Sequence, residues 1–152
     1  MEVKVWNYIE EYKKEKQQYF DRIIFKTNPE HIKNIKEYNK LLLYRNTLLE
    51  NNMSTEPWDK KITEKGIKVW ETRTLFLKDF FICFQKIQEK LKTTQHFNIK
   101  YIKNQPKNHE SYIKEIKTKT KTNKTEIGPH KDTIGLQLNK ENIKEHGSQG
   151  EK

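Results

Sequence analysis

Apolar side chains recur every three or four positions through residues 8–92, which is the period of amphipathic α-helices. The first stretch of this pattern predicts a helix over 8–25. Asn28-Pro29 then interrupts it, since proline cannot continue a helix but suits the first turn of the next one. Thr27 or Asn28 is therefore the expected cap of a second helix.

The second helix is indicated by the pattern from Glu30 to Asn51, whose spacing of three and four residues is that of a coiled-coil seam. The seam positions are Ile32, Ile35, Asn39, Leu42, Asn46 and Leu49. Two of the six are asparagine, and a buried asparagine lowers stability but fixes the register and the partner of a helix. The pattern therefore predicts a helix that pairs in one register.

A third and longer helix is predicted over residues 57–92, because Pro57 follows polar residues and suits a first helical turn. Its apolar stripe consists of Trp58, Ile62, Val69, Phe76, Phe80, Cys83, Ile87 and Leu91. Cys83 lies on that stripe, so we expect it to be a buried, inert thiol. Gly66 is a weak point within the helix. Two long helices joined by a short break predict an antiparallel hairpin with the stripe as its core.

After the third helix the pattern changes to short elements. Residues 97–102 alternate between apolar and polar side chains, as a half-buried strand does. The other predicted elements are a short helix over 111–117, strands over 125–128 and 134–138, and a hairpin turn over 139–142 before Ile143.

These elements predict an α+β fold that is mainly α. We expect a helical piece over 1–27, a long antiparallel helical hairpin over 28–92, and a small β-rich segment over 93–152. Apolar residues make up only 32% of the chain, against about 45–50% in typical domains. The predicted core is therefore thin.

The charge of the chain points to a polyanionic partner. Its 152 residues include 31 Lys+Arg against 21 Asp+Glu, which gives a net charge of +10, and nucleic acid is the usual partner of a domain this basic. Only three of these cations are arginines, and lysine suits diffuse phosphate attraction better than reading of bases. The alternative is that compositional drift produced part of the excess, since the chain has no alanine and is rich in Lys, Asn and Ile.

The most lysine-rich stretch runs from Lys117 to Lys124, where lysine alternates with threonine and asparagine. Such low-complexity sequence is typical of a solvated linker. The alternative is a strip facing phosphates, with Lys117, Lys119, Lys121 and Lys124 as the candidate DNA contacts.

Several classes of site and location are disfavoured by the sequence. It contains no G-x-x-x-x-G-K-[ST] loop, and its histidines and single cysteine are not spaced for a metal. No apolar stretch approaches the roughly 20 residues of a membrane span, and the N-terminus lacks a signal peptide's apolar core. We therefore expect no metal site, no membrane association and a cytoplasmic protein.

The motif that carries chemistry is the turn Ser148-Gln149-Gly150. A hydroxyl and bare backbone N–H groups at such a turn can meet a nucleotide phosphate, since glycine has no Cβ to block approach. A catalytic triad of Ser148, His130 and Asp132 can also be written down. It lacks the sharp elbow around the serine, so we disfavour it.

Four stretches in order resemble the middle of the RecF family, bacterial recombination-repair ATPases related to structural-maintenance-of-chromosomes proteins and ABC ATPases. They are Lys16 to Arg22, Glu37 to Leu49 with its Arg45-Asn46 pair, Pro57-Trp58-Asp59 followed by Gly66 and Arg73, and Gly128-Pro129-His130-Lys131-Asp132 followed by Gly147-Ser148-Gln149-Gly150. Each is weak alone, but together they cover about residues 13–152. The departures are Lys131-Asp132-Thr133, where the family has Arg-Asp-Asp, and Glu151, where glutamine is more common.

The resemblance implies a function shared between subunits. The hairpin would be the arm, or lid, of an ABC-ATPase-like head, and the intact protein would bind ATP with Mg²⁺ between two heads that dimerise. Ser148, Gln149 and Gly150 would form the signature turn that contacts ATP in trans. Residues 128–132 would lie near the head, with His130 as a structural hydrogen-bonding group rather than a proton carrier.

The resemblance also implies DNA and protein partners. The family binds DNA at gaps or at junctions of single and double strands, together with other recombination-mediator proteins. Its Walker A loop would precede Met1 and its Walker B acid would follow Lys152, so we expect a truncated middle section that binds no cofactor and has no activity alone. The alternative is a non-catalytic, basic helical hairpin that binds DNA or a protein.

Overall fold

The computed structural model describes residues 2–92, 96–118, 122–138 and 141–142. In chain order, the elements are α1 (Glu2–Thr27), α2 (Pro29–Glu50), α3 (Glu56–Leu91), β1 (Phe97–Ile102), α4 (His109–Thr118), a 3₁₀ turn (Pro129–Lys131), β2 (Thr133–Leu138) and β3 (Glu141–Asn142). Long helices and one small sheet make the fold α+β and mainly α, which confirms the predicted class.

The first two helices separate at Asn28-Pro29, as the sequence predicts. Asn28 has extended backbone angles (φ −139°, ψ 91°) and occupies the position before the first turn of α2, where Pro29 follows. Its side chain makes no capping bond; instead its carbonyl accepts the N–H of His31 at 3.1 Å. The hydroxyl of Thr27 donates back to the carbonyl of Ile24, which belongs to α1. The expected cap is therefore present by position, but not through its side chain.

The hairpin of α2 and α3 is antiparallel. His31 at the start of α2 contacts Thr72 far along α3, whereas Arg45 near the end of α2 pairs with Asp59 at the start of α3. α1 packs against both helices.

The buried face of α2 differs from the predicted seam. Asn39 is exposed, so its assignment to the seam is wrong, while Ile35 and Leu42 pack only at the edge of the core. The buried residues of α2 are His31, Asn34, Tyr38 and Arg45. These polar and aromatic side chains face α1, α3 and the residues after α3, and each makes a hydrogen bond there. A pattern of apolar positions cannot locate a helix face whose centre is polar.

The predicted stripe of α3 is buried only in the first two thirds of the helix. Ile62 and Val69 are fully buried, but Ile87 and Leu91 are 54% and 67% exposed, and Cys83 is exposed too. α3 has 36 residues and α2 has 22, so α3 runs past the end of its partner. The expectation of a buried thiol at Cys83 is therefore wrong.

The small sheet has the order β1-β2-β3, with both pairs antiparallel. β1 covers the predicted residues 97–102 and pairs from Phe97↔Leu138 to Ile102↔Thr133. Gln88 of α3 anchors β1, since its amide donates to the carbonyl of Phe97 at 2.9 Å and accepts that residue's N–H at 2.6 Å. β3 begins at Glu141, inside the predicted turn over 139–142.

The strand predicted over residues 125–128 is absent from the structure. Two N–H groups of this segment bond to side chains and not to a neighbouring strand. Thr125 donates its N–H to the amide oxygen of Asn46 at 2.8 Å, and Gly128 donates to that of Asn104 at 3.0 Å. Backbone groups satisfied in this way need no sheet partner.

The core consists of two neighbouring clusters that join the hairpin to the residues after it. The larger cluster contains Tyr38, Ile62, Val69, Trp70, Tyr112, Ile116 and Ile127. The smaller one contains Phe20, Leu77 and Ile134. Both clusters contain residues from before and after residue 93. The apolar face of the hairpin is therefore covered in part by the segments that follow it.

Gly66 lies where α3, α4 and the 3₁₀ turn meet. A Cβ on Gly66 would be 2.8 Å from the hydroxyl oxygen and 3.1 Å from Cε1 of Tyr112, and 3.4 Å from Cδ of Pro129. The Tyr112 side chain is 1% exposed and cannot swing away. The glycine that weakens the helix therefore permits this close approach.

We predict that Gly66→Ala lowers the free energy of unfolding by about 1–3 kcal/mol, although alanine favours helices. The Tyr112 hydroxyl is buried with no hydrogen-bond partner among the described residues, so Tyr112→Phe alone should cost little. Because that change removes the nearest clashing atom, it should recover part of the loss in the Gly66→Ala background. Urea denaturation of both single variants and the double variant measures this coupling. Additive effects would contradict the proposed clash.

Candidate functional site

The segment Gly128–Asp132 is the part of the predicted site that the structure describes most completely. Ser148, Gln149 and Gly150 lie outside the described residues, as do Lys119 and Lys121. Lys117 lies in the last turn of α4 and Lys124 precedes Thr125, and both are exposed. Within the segment, Gly128, Pro129 and Asp132 are buried, His130 is half-buried and Lys131 is exposed.

Asp132 is the best-connected carboxylate of this segment and is 0% exposed. Its oxygens accept the indole N–H of Trp70 (3.0 Å), the hydroxyl of Tyr101 (2.6 Å) and the backbone N–H of Asn104 (2.8 Å). Burial and the Asp132 charge raise the pKa of Tyr101 far above its usual value, so this hydroxyl keeps its proton and donates. A buried charge requires such partners, and Asp132 thereby ties α3 to β1 and to the loop after it.

Arg73 of α3 is the cation that faces Asp132. One terminal nitrogen of its guanidinium donates to Asp132 (3.0 Å) and to the carbonyl of Pro129 (2.8 Å). The other terminal nitrogen and Nε form a two-pronged pair with Asp21 of α1, at 2.8 and 2.9 Å. Arg73 therefore bridges two buried carboxylates from distant parts of the chain, a geometry that lysine could not reproduce.

Asp21 completes this cluster on the side of α1. Its carboxylate also contacts Nε2 of the fully buried His31 at 2.9 Å. Burial opposes ionisation of Asp21, but the bonds from His31 and Arg73 outweigh it and hold the pKa of this carboxyl below its usual value. One turn earlier, the amide of Gln17 donates to the carbonyl of Asp132. α1 is thus fixed to the 128–132 segment by side chain and backbone.

His130 is held by two hydrogen bonds that define its tautomer. Its Nε2 lies 2.9 Å from the carbonyl oxygen of Thr125, which can only accept, so Nε2 carries the proton. Its Nδ1 then accepts the hydroxyl proton of Tyr38 at 2.7 Å. Burial lowers the pKa of His130 to about 4, so the ring is neutral at physiological pH. This arrangement supports a structural role for His130.

Gly128 is required by the tight packing at the start of the segment. Its φ of 147° is a value that other residues rarely adopt. A Cβ there would lie 2.1 Å from the hydroxyl oxygen of Tyr38. Tyr38 could then no longer reach His130, so the glycine and the Tyr38–His130 bond depend on each other.

A second buried ion pair lies towards the other end of the hairpin. Arg45 of α2 is 0% exposed and donates to Asp59 of α3 at 2.7 Å. It also donates to the Thr125 hydroxyl (2.9 Å) and the Ile116 carbonyl (2.6 Å). Arg45 thus joins the hairpin to α4 and to the residues before Gly128.

The chemistry of the segment is structural. Its one carboxylate, Asp132, and its one imidazole, His130, both have partners within the chain, and they bond to different groups, which argues against a triad. The described residues contain no cluster of His, Cys, Asp or Glu able to hold a metal ion. None of the described helices has the length and apolar character needed to cross a membrane.

The sequence pattern missed Trp70, Tyr101 and Asn104 as members of the cluster. The other members entered only within the stretches that carry the family resemblance, namely Gln17, Asp21, Tyr38, Arg45 and Arg73. One signal was available: this chain uses lysine for nearly all its cations, and two of its three arginines are buried in ion pairs.

Comparison with known proteins identifies what the chain is similar to. No family model matches it. It is 31% identical to the DNA replication and repair protein RecF of Acetivibrio thermocellus over 94% of this chain, and 29% identical to that of Leptospira interrogans serovar copenhageni over 91%. The chain spans less than half the length of these relatives, 44% and 40%.

The fold agrees with the sequence comparison. The recombination mediator protein RecF of the RecFOR pathway, solved with ATP, superposes with a TM-score of 0.79 at 20% identity, over 91% of this chain and 42% of that one. In sequence and in fold, this chain corresponds to the middle section of RecF proteins. The resemblance noted from its motifs is thereby confirmed.

We predict that His130→Gln destabilises the chain most near pH 7 and progressively less as the pH falls. The imidazole binds its proton near pH 6.5 when unfolded but only near pH 4 in the fold, so its native contribution is lost between these values. Glutamine keeps a donor for Thr125 and does not titrate. Urea denaturation of the parent and the variant at several pH values measures the difference in free energy, and a difference independent of pH would contradict the buried neutral ring.

Proposed function

We propose that this chain works as the arm and signature-bearing section of a DNA replication and repair protein of the RecF type. The main support is the similarity to RecF over nine tenths of the chain, in sequence and in fold. Because the chain spans under half of those relatives, the ATPase cycle, the DNA substrate and the partners are proposals.

The observation that carries the mechanism is the anchoring of β2 by the Asp132 cluster. β2 begins at Thr133, directly after the buried Asp132, and Ser148 follows β2 and β3 in the sequence. We propose that the arm helices set the position of the signature turn through this strand. The hydroxyl of Ser148 and the N–H of Gly150 would contact the terminal phosphate of ATP held by a second head, with Gln149 shaping the turn.

The rest of the ATP site lies on other parts of the intact protein in this proposal. ATP would supply the phosphoryl group, and the residues of this chain would only bind and orient it. The part of the chain that the structure describes offers no metal-ligand cluster, so we assign it no ligand of Mg²⁺. Two heads would dimerise to complete each site, and other mediator proteins of recombination would dock on the assembly.

DNA would be bound mainly through phosphate contacts. The chain carries a net charge of +10, and we propose that Lys117, Lys119, Lys121 and Lys124 contact the backbone of gapped or junction DNA. Lys117 also pairs with Glu56 at 3.6 Å at the start of α3, which holds the end of α4 against the hairpin.

A second candidate is a non-catalytic hairpin module that binds DNA or protein. It is favoured by the partners within the chain that Asp132, Arg73, Tyr101 and His130 have among the described residues. This hypothesis predicts that the protein binds DNA whether or not Ser148 is present.

We predict that Ser148→Ala lowers DNA-stimulated ATP hydrolysis by about 100-fold, since it removes a donor to charge that develops during phosphoryl transfer. The assay uses a chimera in which this chain replaces the matching section of the A. thermocellus protein. Ser111→Ala on α4 is the matched control and should keep parental activity. The isolated chain should show only background hydrolysis.

The two candidates then give different results. Loss of turnover in Ser148→Ala alone, with DNA binding retained, supports the signature role. Equal turnover of the two serine variants in an active chimera would contradict it and favour the non-catalytic module.

A further inference from the structure

A groove lies on the solvent side of the α2–α3 pair, away from the Asp132 cluster. Its volume is about 470 Å³, and its walls are Glu37, Lys40, Leu41 and Tyr44 of α2 and Trp58, Lys61, Glu64 and Lys65 of α3. The buried network described above does not use it. It combines two chemical features, a stacked pair of aromatic rings and several lysines.

The aromatic feature lies at the loop end of the hairpin. The rings of Tyr44 and Trp58 stack with centroids 5.5 Å apart and an interplanar angle of 14°. Tyr44 is 52% exposed, and the ammonium of Lys61 lies 5.1 Å from the centre of the Trp58 ring. The spacing leaves no room for a third ring between the two, so a planar ligand would extend the stack from the open side of Tyr44.

The lysines make the groove attractive to a polyanion. Lys40, Lys61 and Lys65 line it against Glu37 and Glu64. Lys65 is satisfied within the groove by an ion pair with Glu37 and a bond to Asn34. Its bond to Glu37 is the main cause that lowers the pKa of that exposed carboxyl, and the charges of Lys33 and Lys68 add to it. Three lysines therefore line the groove against two glutamates, while Lys33, which acts on Glu37 from outside the groove, also pairs with Glu30 at 3.5 Å.

The described ends of the lysine strip lie at the same end of the hairpin as the aromatic pair of the groove. Lys117 pairs with Glu56, two residues before Trp58, and Thr125 bonds to Asn46, two residues after Tyr44. The strip from Lys117 to Lys124 thus begins and ends at the end of the hairpin that carries the aromatic pair.

We propose that this groove binds single-stranded nucleic acid, with one unpaired base stacked on Tyr44 and adjacent phosphates held by Lys40 and Lys61. A polyanion with planar rings matches both features of the groove, since every base has a face to stack and every linkage has a charge. The inference rests on the DNA binding proposed above and adds its place on the molecule and its preference for unpaired strands.

The test measures fluorescence anisotropy of a labelled oligothymidylate of about 15 nucleotides, and of a duplex of the same length, with the 152-residue chain. Tyr44→Leu keeps an apolar side chain but removes the ring, and should weaken single-strand binding about tenfold. Tyr44→Phe keeps the ring and should bind within about twofold of the parent. Tyr19→Leu, at a tyrosine 62% exposed on α1, is the matched control and should also bind like the parent.

The phosphate contacts are tested by salt dependence. Lys40→Gln with Lys61→Gln should lower the slope of log affinity against log salt by about 1.4, which is two contacts to a single strand. Lys78→Gln with Lys86→Gln, at exposed positions on the far half of α3, has the same charge change and should leave the slope unchanged.

Four results would overturn the proposal. The first is single-strand binding that is equal in Tyr44→Leu and the parent. The second is binding of the duplex alone, which would leave the proposed DNA affinity intact and remove only the groove. The third is loss of self-association in Tyr44→Leu at sedimentation equilibrium with DNA binding retained, which would make the groove a contact between copies. The fourth is no binding of either DNA by the parent at low salt, which would remove the proposed DNA affinity as well.

Discussion

The guanidinium of Arg73 lies between the buried carboxylates of Asp21 and Asp132, and most of the tertiary structure depends on this bridge. Each of these charges would be expensive to bury alone, but here each has partners for its hydrogen-bonding groups. The three residues come from α1, α3 and the loop before β2. Satisfying them requires all three segments to be in place at once, so the cluster fixes their relative position more sharply than apolar contacts could in a chain with so thin a core.

The bridge also explains how a loop without regular structure can be rigid. Residues 125–132 make no ladder bonds, yet their backbone groups bond to Asn46, Asn104, Gln17 and Arg73. The pocket for this loop is shaped by two glycines, Gly66 on α3 and Gly128 at its start. β2 begins at this fixed point, and the proposed link between the packing of the helical hairpin and the position of Ser148–Gly150 rests on it. The groove at Tyr44 and Trp58 lies outside this buried hydrogen-bond network. Its side chains face solvent and are available to a ligand.

The sequence predicts correctly those elements that the spacing of apolar residues determines. The three long helices, β1 and the hairpin after β2 follow from repeated apolar positions and from the breaks at Pro29 and Pro57. The prediction was wrong at residues 125–128, where backbone N–H groups bond to side chains and not to a strand. It was also wrong at Cys83, because α3 extends beyond the end of α2 there and leaves the thiol exposed. It also misplaced Asn39, because the true centre of the α2 face is formed by polar residues whose burial depends on partners distant in sequence. Of the candidate site, the motif 128–132 was recognisable by resemblance, but its role as a buried anchor required the structure.

The Asp132 carboxylate holds the helical hairpin and the β2 segment together through Arg73. This role can be measured as the free energy of unfolding of Asp132→Asn, determined by urea denaturation at neutral pH beside Asp79→Asn, an exposed position on α3. We predict a loss of about 3 kcal/mol for Asp132→Asn, because Arg73 stays buried with one partner weakened, and a change within about 0.5 kcal/mol for Asp79→Asn. Equal and small effects of the two substitutions would show that the Asp132–Arg73 pair does not hold these segments together.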